Sequence, residues 1–182
     1  MILETPRMAL RRFKPDDWQD LRRIHGDARA TDTLSQDGAP LPEDWSRASA
    51  LMWTAHWDIY GFGIWHAADR DTGTFCGYGG MRLLLLDGKP IVELAYAVVP
   101  ALWRQGRAYE IASATTDWMF ETMALQEAWC FTLTRNVASQ KVMQRAGFTY
   151  SHAAARAGLP HVFYKMTQEQ WRAGQESRPP AP

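Results

Sequence analysis

The sequence predicts an α/β domain built on a mixed sheet. Strand-like segments at 63–68 and 74–85 are joined by Asp69-Arg-Asp-Thr-Gly73, the spacing of an antiparallel hairpin. A strand at 91–99 is instead followed by a helix and a further strand at 127–134, the order of a parallel crossover. Both kinds of connection in one chain require a sheet of mixed strand direction.

The elements follow in order. Met8 to Phe13 reads as a first strand. Pro15-Asp16-Asp17 opens a helix, with proline early and acids in the first turn, and Trp18, Leu21 and Ile24/His25 recur on its buried side. Asp32 to Pro42 is rich in turn residues and reads as a loop. Glu43 to about Tyr60 carries Trp45, Met52, Trp53, His56 and Tyr60 near helical period. Asp87-Gly88-Lys-Pro90 turns the chain into the strand Ile91–Val99. A helix opens after Gly106 and runs to about Met123. Val137 to Arg145 reads as a short helix stopped by Gly147, and strands at 148–154 and 161–166 close the domain. The domain is expected over residues 1–174, with 175–182, ending Arg-Pro-Pro-Ala-Pro, as a disordered tail.

Composition excludes several classes. Twenty basic side chains balance twenty acidic ones, and no long basic block appears, which argues against nucleic acid as a partner. An apolar fraction of 46% with nine tryptophans marks a folded chain. No segment is long and apolar enough to span a bilayer and no signal-peptide core is present, so a cytoplasmic location is expected. Cys76 and Cys130 read as buried thiols. The five histidines show no zinc-ligand spacing, and no metal is expected. Gly77-Tyr-Gly79-Gly80 is followed by a strand, not a helix, and is no dinucleotide fingerprint.

The most informative segment is Trp103-Arg-Gln-Gly106-Arg-Ala108, between the strand ending at Pro100 and the next helix. N–H groups at a helix start lack intrahelical partners and face the positive end of the dipole, which makes an anion site. Gly106 and Ala108 leave the backbone open to a phosphate, and Arg104 and Arg107 flank the turn. On the preceding strand, alternation puts Glu93, Ala95, Ala97 and Val99 on one face, so small residues leave space above Glu93.

The segment resembles the acetyl-CoA pyrophosphate loop of the GNAT superfamily of N-acetyltransferases. Thr5-Pro-Arg-Met-Ala-Leu-Arg-Arg-Phe13 is similar to the opening strand of its RimJ/RimL-type branch. Asn136-Val-Ala-Ser139-Gln-Lys-Val-Met-Gln-Arg-Ala-Gly-Phe148 is similar to that branch's closing helix. The resemblance covers roughly residues 5 to 166. It implies the GNAT fold, with about seven strands, mostly antiparallel and splayed at the cofactor site, and about four helices. It also implies transfer of an acetyl group from acetyl-CoA to a primary amine by direct attack, without a metal. By the same resemblance Arg104, Gln105, Gly106, Arg107 and Ala108 hold the pyrophosphate, while the backbone of Ala97 and Val98 pairs with pantetheine and supplies the oxyanion donor. Glu93 stands as general base, Asn136 as a contact to the pantetheine arm, Ser139 as general acid, and Lys141 as a phosphate contact. Many relatives place a tyrosine acid where this chain has Met143, leaving Ser139, water or Tyr96 for that role. Trp45, Trp53, Trp57, Tyr60 and Phe62 fall where relatives build the acceptor pocket. The acceptor amine is not readable, and dimers are common among relatives. A non-catalytic module that binds CoA or an acyl-CoA is the alternative, suggested by Met143.

Overall fold

The computed structural model describes residues 1–176; residues 177–182 lie outside the described residues, and with them most of the expected tail. The elements run β1 (Ile2–Glu4), β2 (Met8–Arg12), α1 (Trp18–His25), α2 (Ala28–Thr31), α3 (Glu43–Tyr60), β3 (Ile64–Asp69), β4 (Phe75–Leu86) and β5 (Lys89–Val98). They continue as α4 (Arg107–Thr122), β6 (Glu127–Leu133), α5 (Val137–Arg145), β7 (Thr149–Arg156), β8 (Leu159–Thr167) and α6 (Gln168–Glu176). Among the described residues eight strands form one sheet in the order β1-β2-β3-β4-β5-β6-β8-β7, in which only the β5–β6 pair is parallel.

The expected mixed sheet is therefore present, with differences at its ends. β1 is a three-residue edge strand, too short to carry an alternation signal. The first helix is split: Pro15–Asp17 is a 3-10 turn, and Gly26 ends α1 before the short α2. α6 takes in Gln175 and Glu176, the first two residues of the expected tail. Its face packs Trp171 on Phe120 of α4, with ring centroids 5.5 Å apart, a tertiary contact that local propensity does not report.

Two helical layers cover the sheet. Phe13, Leu21, Ala50, Trp53 and Tyr78 pack α1 and α3 onto one face, over Ala95 and Ala97 of β5. On the other face Leu94, Ala112, Phe120, Met143 and Phe148 join α4 and α5 to β5 and the C-terminal strands. The alternation read along β5 is thus the partition between two cores. A Cβ on Gly79 would meet Ile111 of α4, so glycine on β4 lets that helix lie close to the sheet. That close approach sets the start of α4 beside the end of β5. Among the described residues no helix is long and apolar enough to cross a membrane.

Candidate active site

β5 is fully registered with β4, from Leu86–Lys89 to Gly77–Val98. On its other side it meets β6 at one registered pair, Glu93–Trp129. Beyond that pair the two strands diverge, leaving peptide groups of β5 facing a gap. Val99 N–H donates to Cys76 O on β4 at 2.9 Å, and Ala97 O also lies against β4, where it would meet a Cβ on Gly77. Strand alternation then turns the peptide groups of Tyr96 and Val98 toward the gap. Trp103 Nε1–H donates to Val98 O at 2.7 Å. Val98 N–H is left as the gap-facing donor nearest the loop. Of the two residues expected to meet pantetheine, Val98 faces the opening and Ala97 faces β4.

The loop after β5 ends in a helix start suited to an anion. Arg104 (φ 62°) and Gly106 (φ 79°) both adopt left-handed backbone, a conformation that costs an L-residue roughly 1–2 kcal/mol and glycine almost nothing. The first turn bond runs from Glu110 N–H to Gly106 O at 3.1 Å. The N–H groups of Arg107, Ala108 and Tyr109 therefore lack helical partners. The side chain of Arg107 turns inward, donating to Asp69 at 2.9 Å and approaching Cys76 Sγ at 3.5 Å. That hydrogen bond holds the Asp69 carboxyl below its ordinary range. Arg107 thus offers a ligand its backbone, while Arg104 is exposed.

Sequence reasoning missed Arg7, which donates to Gln105 O at 2.8 Å and pairs with Glu110 at 2.6 Å. Burial opposes the Glu110 charge, but bonds from Thr5 and Arg7 hold its carboxyl below the ordinary value. The first strand turn thus braces the loop. Its sequence signal was an arginine in the opening motif, with nothing to say which element it would touch.

Glu93 is 3% exposed and sits opposite Arg82 on β4. Arg82 Nε donates to Glu93 Oε2 at 2.6 Å. Burial opposes the Arg82 charge, yet the facing carboxylate more than offsets this and raises its pKa. Glu93 Oε1 makes no hydrogen bond among the described residues, so one carboxylate oxygen is anchored and one is open. Tyr78, on the same face, has its phenol pushed up to about 12 by burial.

Across the gap, Asn136 caps α5 by accepting from Ser139 N–H at 3.1 Å, and its amide donates to Thr132 Oγ1 at 3.0 Å. Tyr96 Oη lies 2.9 Å from Ser139 Oγ and donates to Ser139 O at 3.0 Å. The structure thus brings Tyr96 and Ser139, two of the candidate acids, into one pair that ties β5 to α5. Burial raises the Tyr96 phenol well above its ordinary value. A phenol in that state stays protonated, so it can hold a hydrogen bond but releases a proton poorly to a thiolate of ordinary pKa about 8.5. Met143 is buried in the core, and Lys141 is exposed on the outer face of α5.

The expected acceptor aromatics divide: Tyr60 and Phe62 lie 6.2 Å apart around His56, Trp53 packs on Tyr78, and Trp45 and Trp57 lie elsewhere. Trp53, Trp57 and Phe62 are buried in three different apolar clusters, while Trp45 and Tyr60 are 60% and 44% exposed. Trp53 and Trp57 lie on the inward stripe of α3, Trp45 lies off that stripe in the first turn, and Tyr60 is the exposed last residue of the helix. On the Glu93 face Trp53 packs on Tyr78 at 4.8 Å, and further aromatic surface comes from Trp129 and Phe131 of β6, His152 of β7, and His161 and Phe163 of β8. Phe131 lies 5.2 Å from Phe163, on which His152 stacks at 4.6 Å. The Gln36 amide donates to Ala157 O at 3.1 Å, so the 32–42 loop touches the β7–β8 turn.

The fold also gathers Asp17, Asp20 and His66, whose ligand atoms lie within 4.8 Å of one another. Their spacing in sequence hid this. Arg11 already bonds both oxygens of Asp17, at 2.7 and 2.8 Å, and serves as their counter-charge.

Residues 7–149 match the acetyltransferase (GNAT) domain family. The chain belongs to that family. It is 27% identical to the uncharacterized Bacillus subtilis protein YkkB, over 58% of this chain and 62% of that one. It is 26% identical to the uncharacterized N-acetyltransferase YoaA of the same organism, over 81% and 82%. It is 27% identical to the FsC-acetyl coenzyme A-N(2)-transacetylase of Aspergillus fumigatus, over 74% and 63%. The matches therefore span less than two thirds of YkkB and of the Aspergillus protein. A GnaT-family acetyltransferase structure from Bordetella pertussis superposes with TM-score 0.79 at 20% identity, over 92% of this chain and 99% of that one. The ribosomal-protein α-N-acetyltransferase RimL, solved in complex with coenzyme A, superposes with TM-score 0.75 at 13% identity, over 92% and 98%. At these identities the superpositions establish the fold.

Proposed function

We propose that this chain transfers an acetyl group from acetyl-CoA to a primary amine by direct attack. The observation that carries the reading is the open Val98 N–H on a splayed β5, next to a helix start whose first N–H groups are free. Bound acetyl-CoA would bring the electrophile, an acetyl thioester. The backbone of Arg107, Ala108 and Tyr109, with Arg104 beside it, would hold the pyrophosphate. Val98 N–H would donate to the thioester oxygen as negative charge develops there, a contribution on the order of 2.7–4 kcal/mol. Glu93 Oε1 would take the amine proton, directly or through water. An α-amino group of pKa about 7.7–8.0 is already partly neutral near pH 7, so this step need contribute only roughly 10²–10⁴-fold. Ser139, oriented by Asn136 and Tyr96, would hydrogen-bond the departing sulfur. The Asn136–Ser139 cap, in the segment similar to that branch's closing helix, supports the RimJ/RimL-type branch for this chain. The Aspergillus relative's name, which specifies transfer from acetyl coenzyme A to N(2), supports the donor and a nitrogen acceptor.

Burial of Met143 where relatives place a tyrosine acid favours one second reading, an acyl-CoA binder that does not transfer. Thiol release from acetyl-CoA across a panel of amines separates the two. Amine-dependent release is expected. Tight acetyl-CoA binding with no release from any amine would establish the binder.

A further inference from the structure

Resting on that transferase reading, we propose that the acceptor is a small amino-acid-like amine, with one amino group, an apolar or aromatic side chain and a carboxylate, rather than a polyamine or aminosugar. The charges on the Glu93 face carry this. Register places Arg82, Glu93, Trp129, Phe131, Lys165 and Arg156 around one surface.

Each carboxylate on that surface already has a cationic partner. Glu93 is held by Arg82 at 2.6 Å, and Glu127 is paired with Lys165 at 3.6 Å. A polycation would need several free carboxylates, and its extra charges would instead meet guanidinium groups. The cations are the ones with capacity left. Arg82 commits its Nε–H to Glu93, and its Nη groups make no hydrogen bond among the described residues. Arg156 stacks over Phe131 at 4.7 Å and has no carboxylate partner among the described residues. A planar guanidinium so placed suits a carboxylate, which it can grip with two parallel bonds.

Spacing and surface agree. Phe131 lies two residues beyond Trp129, the registered neighbour of Glu93, about 7 Å along the strand and one strand spacing of about 4.8 Å across from β5, so roughly 8–9 Å from Glu93. That is about the span of an amino acid hydrogen-bonded at each end. Trp129 and Phe131 supply the apolar wall between the two points. The contact between Gln36 and Ala157 bridges this face at the hairpin turn, which favours a compact acceptor over an extended chain.

The test compares thiol release with L-phenylalanine, phenethylamine, spermidine and a peptide starting with phenylalanine, for wild type and Arg156→Glu. Expected is the highest kcat/KM for L-phenylalanine. Arg156→Glu should then raise its KM at least tenfold while changing phenethylamine less than threefold. Preference for spermidine or the peptide would overturn the inference, as would equal effects of the substitution on both aromatic amines. If no amine releases thiol, the transferase reading fails by itself, and calorimetric titration of L-phenylalanine into protein saturated with CoA decides the site. Binding lost in Arg156→Glu would retain it, and no binding would overturn it.

Discussion

The two halves of the site are made of different material. The donor half is backbone: a strand end without a neighbour, two left-handed residues and a helix start, with Arg107 turned away to Asp69. The acceptor half is side chains, namely the Arg82–Glu93 pair, aromatics from three strands and an arginine over a ring. A backbone site tolerates substitution wherever main-chain geometry survives. A side-chain site can change its ligand with one residue. The contrast explains how one fold can keep a common donor and vary its acceptor.

Glu93→Gln tests the acceptor half most severely. Turnover should fall roughly 100-fold below pH 7, where the amine is protonated, and less at pH 9, where it is already neutral. A pH–rate profile matching wild type would remove Glu93 as base. Next in size is Arg82→Met, which leaves a buried carboxylate unpaired. Because Arg82 is one-third exposed, the stability loss in urea should be about 1–3 kcal/mol, below the ~3–5 kcal/mol of a fully buried pair.

His25 marks the scaffold beneath the acceptor half. It is 3% exposed, lies 3.0 Å from Ser46 Oγ, and its pKa is lowered to about 4 by burial. Unfolding returns it to about 6.5, so between those values the unfolded chain binds a proton that the fold does not. The stability is present above pH 6.5 and is lost as pH falls toward 4. The loss from this group between pH 7 and pH 5 should be about 2 kcal/mol, and His25→Gln should flatten that part of the urea-midpoint profile.

The smallest effect belongs to the strut between the halves. Tyr96→Phe removes a hydroxyl worth about 1 kcal/mol, so kcat should fall about fivefold with acetyl-CoA affinity unchanged. A matching loss of affinity would mean that Tyr96 shapes the donor half instead.

The same contrast sets what could be read from sequence. Gly106, Ala108 and the strand before them were legible because local backbone geometry is written in residue type and period. The alternation that put Glu93 over small residues held for the same reason, since β5 divides two cores. Contacts that require the whole fold stayed hidden. Arg82 lies 11 residues from Glu93, Arg7 lies 98 from Gln105, and Tyr96 lies 43 from Ser139. Eight strands stand where about seven were expected, because the edge strand β1 is too short to signal itself.

The most direct test is calorimetric titration with acetyl-CoA of wild type, Gly106→Val and the double variant Ser139→Ala/Lys141→Ala. At Gly106 the nearest atom to an added Cβ is Arg7 Nη2 at 3.5 Å, so valine has room but cannot easily hold the left-handed backbone. If the donor half is backbone, Gly106→Val should remain folded and lose acetyl-CoA binding at least tenfold, while the double variant stays within about threefold of wild type. Full affinity in Gly106→Val, or its loss in the double variant alone, would contradict the account.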